Sequence, residues 1–436
     1  MVEVLLAGIG VLLFFMCLAL PLRHRLLMVL VSSVPQIYLI QIAGADVSLA
    51  FLLPILLLPE FIKNANIFLA KLPILAVLVL ICCSIISLLW SGAKSAGIRD
   101  IAYYIEFIVI ANAVYVLART RESELYKITN VMLFFVCLQA VTIVLFRLNE
   151  TLELSIVLSP ISKYTMGNNT LTALLEGVRN NFYDPVKAGG ILFINANAAA
   201  CYVGISSFMA WGIFKAYRTK ISLLMAIFLW VTVFFTGSKA GVLFSVLIPL
   251  FIVYLKLQKQ TKIYVSVFCA IFALMLISIG VILGMTERYD FLNQSAETAE
   301  TRYQIWGYAF DSFINSPLMG QGFGGWEENY SIFSNYYLPP HNTLIFLWSK
   351  SGLLAALMGL LFIVSCLRVA FKGIRNQQAN ARELSYSFTM VIAWLFAHGF
   401  GENFGLIGEQ HQMIILTIML GVCLANNTPK MSAHRT

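Results

Sequence analysis

The stretch LPILAVLVLICCSIISLLW, Leu72 to Trp90, decides the fold class. It runs 19 residues without a charged side chain. At about 1.5 Å of rise per residue, a helix of that length spans roughly the 30 Å hydrocarbon core of a bilayer. Apolar runs recur on either side of it, near 2–21, 26–43, 47–62, 98–118, 128–148, 191–214, 221–236, 240–255, 263–284, 342–367, 386–401 and 410–426. The first three are short enough to be re-entrant or partly interfacial. The expected fold class is therefore an all-α polytopic membrane protein with about 12–14 transmembrane helices. Composition agrees: 60% of residues are hydrophobic, only 11% are charged, and the mean hydropathy is +0.84. Soluble domains carry about 25% charged residues, so a water-soluble enzyme is excluded. Strand-like alternation over long stretches is absent, which argues against a β-barrel.

The net charge of +8 does not indicate a nucleic-acid partner. Most of the excess basic residues sit in short connections between apolar runs, the distribution expected of cytoplasmic loops. Arg23 and Arg25; Arg119, Arg121 and Lys127; Lys215, Arg218 and Lys220; Lys256, Lys259 and Lys262; and Arg368, Lys372, Arg375 and Arg382 mark alternate connections. The parity puts the N-terminus outside and the C-terminus inside. The chain reads as a single integral membrane domain, 1–436, with two long outward loops at 149–190 and 285–341. The second carries acidic residues at 287, 290, 297, 300, 311, 327 and 328 against Arg288 and Arg302. All eight cysteines fall within apolar runs and read as small core residues, neither disulfides nor metal ligands. No basic region precedes the first apolar run, so a cleaved signal peptide is not expected.

The loop 285–341 is the richest in chemistry. In ETRYQIWGYAFDSFIN, Glu300 to Asn315, the residues Tyr303, Trp306, Phe310, Phe313 and Ile314 follow helical spacing. They predict an amphipathic helix lying at the membrane surface. Pro317 ends it, the glycine-rich GQGFGGW follows, and LPPHNTL delivers His341 and Asn342 to the first turn of the next apolar helix. Lys239, in TGSKAG, lies at the tight outer turn between two apolar runs. Two cations and an imidazole at a membrane boundary suit a diphosphate-bearing lipid and a proton acceptor. Arginine grips phosphate oxygens in a fork, lysine acts as a point charge, and histidine takes a proton near neutral pH. The plainer reading of each is open on spacing alone: a snorkelling lysine, an arginine paired with Glu300 or with headgroups, a histidine that bonds at a helix start.

Further polar residues carry less signal. GFGENFGLIGEQHQ puts Glu402, Glu409 and His411 on a short outer connection, where they could bind sugar hydroxyls or where Glu402 could orient His341. An ordinary polar loop is slightly favoured. Arg99 and Asp100 begin a helix on the outer side and could pair with each other. Arg179, in GVRNNFYDP, could reach a substrate. The interiors of the apolar runs read as free of ionisable groups, which argues against a transporter or flippase without covalent chemistry.

Taken in order, these segments resemble the O-antigen ligase and polymerase family of bacterial envelope glycan assembly. The likeness covers residues 190–370 best. It comprises the NAN element at Asn195 to Asn197, the T-x-S-[KR] turn at Thr236 to Lys239, RYD with TRYQIWGYAFDSFINSPLMGQGFG, and HNTLIFLWSKSGLLAALMGLL. The resemblance implies a GT-C-like architecture in an inner membrane, with the active site on the periplasmic face. It implies an undecaprenyl-diphosphate-linked oligosaccharide donor and a metal-independent, inverting attack at the anomeric carbon, with no cofactor. His341 matches the family's essential histidine and Arg302 a diphosphate-binding arginine. Lys239 stands where ligases usually carry arginine, which tilts the reading towards a polymerase of repeat units for O-antigen or exopolysaccharide. The alternative is a ligase that hands the finished glycan to lipid A core. Asn342, Asn197, Arg179 and Glu402 are the further substrate-binding candidates. Expected partners are the lipid-linked donor, a glycan or lipid A core acceptor, membrane lipids and, for a polymerase, a chain-length regulator.

Overall fold

The computed structural model describes residues 14–42, 45–176, 186–264, 266, 290–335, 338–402, 406 and 410–428. In chain order, helix α1 (Leu22–Ser32) is followed by a hairpin of β1 (Tyr38–Ile42) and β2 (Ala45–Ser48). Then come α2 (Leu49–Leu69), α3 (Leu72–Ser87), α4 (Lys94–Thr120) and α5 (Glu122–Leu148). Three short helices, α6 (Glu150–Val157), α7 (Ser162–Met166) and α8 (Asn168–Leu175), fill the first long loop. Apolar helices resume with α9 (Ala196–Tyr217), α10 (Lys220–Phe235) and α11 (Lys239–Lys256). The second long loop contains α12 (Asp290–Asn315) and α13 (Gly325–Ser334). The chain then forms α14 (Thr343–Ile374), α15 (Ala379–Gly399) and α16 (Gln410–Asn426).

This is an all-α polytopic membrane protein. Among the described residues, six helices are long and apolar enough to cross a membrane: α2, α4, α5, α9, α11 and α14. The shorter apolar helices α3, α10 and α16 accompany them. Of the 12–14 crossings expected, the described residues thus supply six spans by length and three shorter apolar helices. Most of the runs 2–21 and 263–284 lies outside those residues, as does Arg179. The run 26–43 is a different matter. Pro35, which has no N–H to donate, follows the end of α1. The chain then turns back as a hairpin that pairs Tyr38 with Ser48 and Ile40 with Val47, latched by Gln41 Nε2 donating to Asp46 Oδ1 at 2.8 Å.

Packing is organised around α9, which lies against α10 and α15. Lipid tails are as apolar as leucine, so helices in a membrane associate through close van der Waals fit and not through the hydrophobic effect. The sequence of α9 supplies that fit: Ala198, Ala199, Ala200, Gly204, Ser206, Ser207, Ala210 and Gly212 are all buried. A Cβ at Gly204 would run into the Trp394 ring of α15, and one at Gly212 would meet Ser387. The buried Trp394 thus fills a notch that only glycine leaves.

The two ends of the bundle differ in chemistry. At one end the basic connections meet: Arg23 donates to Glu124 at 3.1 Å, Tyr217 to Glu122 at 2.6 Å, and Lys256 lies 3.6 Å from Glu383. At the other end, the starts of α9, α11 and α14 and the end of α15 converge on the site described below.

Helix α14 is broken in the middle. Gly352 has φ +83° and ψ −179°, backbone that only glycine adopts readily. A Cβ there would strike the carbonyl oxygen of Leu318. The break lets the loop after α12 dock into the helix. Gln321 and Gly322 donate their N–H groups to Ser349 O at 2.7 and 2.9 Å, Leu353 N donates to Leu318 O at 3.2 Å, and Trp348 Nε1 donates to Pro317 O at 3.0 Å. On its far side the same loop accepts Ala93 N and Ser91 Oγ at Phe323 O, at 2.9 and 3.0 Å. The GQGFG segment is therefore stitched between α14 and the α3–α4 connection.

Candidate active site

The site is assembled from helix starts. Asn342 caps α14: its Oδ1 accepts from Leu344 N at 3.0 Å and from Ile345 N at 3.2 Å. Cap residues of this kind satisfy N–H groups that the first helical turn leaves orphaned. The cap engages the Asn342 oxygen, and its Nδ2 group takes no part in these bonds. The residue before it, His341, has a positive φ of 49°. A left-handed histidine is uncommon and is tolerated where surrounding structure enforces it. Thr343, one residue on, donates to Gly399 O at 3.1 Å and ties the start of α14 to the end of α15.

Glu402, just beyond α15, is the hub. Its Oε2 lies 2.9 Å from His341 Nδ1, and its Oε1 accepts from Arg302 at 3.2 Å and from Asn197 Nδ2 at 3.3 Å. Its side chain is 13% exposed. Burial pushes the Glu402 carboxyl up, but the His341 hydrogen bond and the nearby His341, Arg302 and His398 outweigh it and hold the group below the usual carboxylate range. Burial pulls the Arg302 guanidinium down, and the charge of Glu402 opposes that shift. One of its five N–H donors is spent on Glu402, and a guanidinium remains charged throughout.

The Asn197 amide extends the cluster. Its Oδ1 accepts from Ser238 Oγ at 2.7 Å, and Ser238 in turn caps α11 by accepting from Gly241 N at 3.0 Å. Asn195 caps α9 by accepting from Asn197 N at 2.8 Å. Lys239, next to Ser238, is exposed at the first position of α11. The turn before it depends on Gly237 at φ +73°, where a Cβ would collide with Val186 O.

Four of the residues singled out in sequence thus meet: His341, Arg302, Glu402 and Asn197. Lys239 starts a helix whose cap belongs to the cluster, and Glu409 lies outside the described residues. Ser238, the link between Asn197 and α11, carried no signal in sequence beyond its place in TGSKAG.

Other expectations need correction. Asp100 does not pair with Arg99. It accepts from Lys350 Nζ of α14 at 3.1 Å, and both side chains are less than 10% exposed. Lys350 also lies 4.1 Å from the Phe346 ring centroid. Nor are the apolar runs free of ionisable groups: Lys350 and Glu106 are buried within α14 and α4. A lone lysine in an apolar run is affordable only beside a carboxylate, and the partner lies 250 residues away in sequence. His411 is buried, with Nδ1 3.1 Å from Gln36 Nε2 and Nε2 2.9 Å from Val34 O, so it braces α16 against the segment between α1 and the hairpin. The amphipathic helix begins earlier than expected, at Asp290. Ile305 and Ala309 pack with Trp326 and Tyr330, while Tyr303, Trp306, Phe310 and Ile314 are exposed. Among the described residues, no three His, Cys, Asp or Glu side chains converge as a metal site.

The comparison with known families falls on this part of the chain. Residues 224–360, which contain Lys239, Arg302 and His341, match the family described as O-Antigen ligase. No curated protein matches the chain. On that match, this stretch of the chain is similar to the O-antigen ligase family, and Lys239, Arg302 and His341 all lie inside the similarity.

Proposed function

We propose that this protein is a membrane glycosyltransferase that joins undecaprenyl-diphosphate-linked oligosaccharide repeat units at the periplasmic face of the inner membrane. The observation that carries this reading is the Glu402 carboxylate held between an imidazole, 2.9 Å away, and a guanidinium, 3.2 Å away. Glu402 sets the His341 tautomer by accepting Nδ1–H, which leaves Nε2 as the ring atom able to take a proton. In the proposed step the acceptor hydroxyl gives its proton to Nε2 as its oxygen bonds the anomeric carbon. The bond from that carbon to the phosphate oxygen breaks, and its electron pair departs with undecaprenyl diphosphate. Arg302 has donors left over for the diphosphate oxygens, and Lys239 adds a second cation. Fixed cations stabilise the leaving charge most where water is scarce. The exposed row Tyr303, Trp306, Phe310 and Ile314 on α12 suits the membrane surface, where such a donor would be presented.

A ligase that delivers the glycan to lipid A core is the second reading, favoured by the similarity of residues 224–360 to the O-antigen ligase family. Polymerisation is preferred because Lys239 keeps a charge but not a bidentate grip. Glycans from a deletion strain separate the two: a lost polymerase leaves single repeat units, and a lost ligase leaves long chains on the lipid carrier. Transfer itself is tested with purified protein in nanodiscs and a synthetic lipid-diphosphate oligosaccharide. His341→Ala should abolish product; equal yields from the two proteins at equal folding would overturn the catalytic reading.

A further inference from the structure

A cavity of about 300 Å³ opens beside the site and is built from residues the reaction above does not use. Its walls come from α4, α7, α8, α14, α16 and the hairpin, and they include Tyr38, Arg99, Tyr103, Thr170, Asn195 and Gln410. The Asp100–Lys350 ion pair and Phe346 line it as well. It adjoins the Glu402 cluster through three shared elements. Asn195 caps the helix whose Asn197 bonds Glu402. Phe346 and Lys350 lie on α14 beyond His341, within about 8 and 14 Å of it along the axis at 1.5 Å per residue. Gln410 closes the connection that carries Glu402 and is held by Glu106 Oε2 at 2.7 Å.

The chemistry of these walls is specific. The rings of Tyr38, Tyr103 and Phe346 line it, Phe346 with the Lys350 ammonium 4.1 Å from its centroid, alongside amide, hydroxyl and guanidinium groups. Among the described residues, Arg99, the Tyr103 hydroxyl and the Thr170 hydroxyl make no protein hydrogen bond. Lys350 and Asp100 neutralise each other, which leaves Arg99 as the one unpaired cation among the described lining residues. A small, part-polar, part-aromatic cavity suits a ligand with one apolar face and a rim of hydroxyls, which describes a pyranose ring.

The side on which the cavity lies adds the role. Neither Arg302 nor Lys239 lines it. The groups proposed for the leaving diphosphate and the groups that line the cavity are thus distinct sets, both connected to His341 and Glu402. We propose that the cavity seats the terminal sugar of the glycan acceptor, with Arg99, Tyr103 and Thr170 reading its hydroxyls. This rests on the glycosyl-transfer reading for the word acceptor, but not for sugar binding itself.

The test therefore reads binding and transfer separately. Saturation-transfer NMR is run on the full chain in phosphatidylcholine nanodiscs with millimolar methyl glycosides of glucose, galactose, N-acetylglucosamine, rhamnose and glucuronic acid. At least one glycoside should receive saturation from the wild type and, undiminished, from His341→Ala. Its signal should fall at least fivefold in Arg99→Ala and in Tyr103→Phe, and Thr170→Val serves if either fails to fold. In the transfer assay, Arg99→Ala should raise the acceptor KM at least fivefold and leave the donor KM unchanged. If no glycoside receives saturation, or if the variants keep the wild-type signal, the sugar site is wrong. If binding behaves as stated but His341→Ala transfers like the wild type, the sugar site stands and the catalytic reading falls.

Discussion

Glu402→Gln is the substitution that bears hardest on the site. The amide keeps the size of the side chain but exchanges one acceptor oxygen for an NH2 group. Glu402 now accepts from His341 on one oxygen and from Arg302 and Asn197 on the other. The amide can serve one of these sides, and on the other it sets donor against donor. A hydrogen bond to a charged group contributes about 1.5–3 kcal/mol, and with the carboxylate only 13% exposed little of that is screened away. If Glu402 stabilises the imidazolium that forms as His341 takes the proton, a loss of about 2–3 kcal/mol reduces kcat about 30- to 150-fold. The assay is turnover of a lipid-diphosphate oligosaccharide in nanodiscs across pH. Glu402 acts through His341, so it is a positioning residue, and the pH profile is what separates positioning from mere structure. Its folded-state pKa is held below the usual carboxylate range. The stabilisation is therefore present above that range and is lost as pH falls through the depressed value. The wild type's unfolding profile should show an acid limb there, and that of Glu402→Gln should lack it. A variant with kcat within twofold of wild type and an unchanged acid limb would refute the reasoning.

Gly352→Ala should lower the thermal unfolding midpoint markedly, because non-glycine residues pay about 1–3 kcal/mol in such backbone and the Cβ would also hit Leu318 O; an unshifted midpoint would mean that the loop can leave the kink freely. Lys350→Met strands Asp100 in the bundle and should cost about 3–5 kcal/mol, while adding Asp100→Leu should recover most of the loss; chemical unfolding of both variants measures this. Burial, with help from Glu150, pushes the Glu153 carboxyl up to about 7. Its protonated form is favoured in the fold, so the stability it contributes is full below the usual carboxylate range and is lost as pH rises through about 7. Glu153→Gln should flatten that part of the stability profile, and an identical profile would contradict the assignment.

Local pattern carried much of this protein. Apolar runs without charge announce helices in a bilayer wherever they are long enough, because an unpaired backbone group in lipid leaves a chain few alternatives. The rhythm of Tyr303, Trp306, Phe310 and Ile314 announced α12, and LPPHN announced that a helix begins beyond His341, since a proline pair followed by a capping asparagine permits little else. The hairpin at Tyr38–Ser48 was hidden because a short apolar run such as Ile37 to Ile40 looks alike in a strand and in a helix.

What only the tertiary structure decided is who meets whom. Glu402 lies 61 residues from His341, 100 from Arg302 and 205 from Asn197, and a single carboxylate joins all three. Asp100 looked like a partner for its neighbour Arg99, but successive residues on a helix do not face each other, and Lys350 of another helix takes it instead. Residue type and spacing determined that this chain crosses a membrane and which side chains could do chemistry. The packing of α9 against α15, and the break at Gly352 that admits the loop after α12, decided which of them stand together, because a contact between distant segments is set by the fit of whole helices and leaves no trace in the spacing of either one.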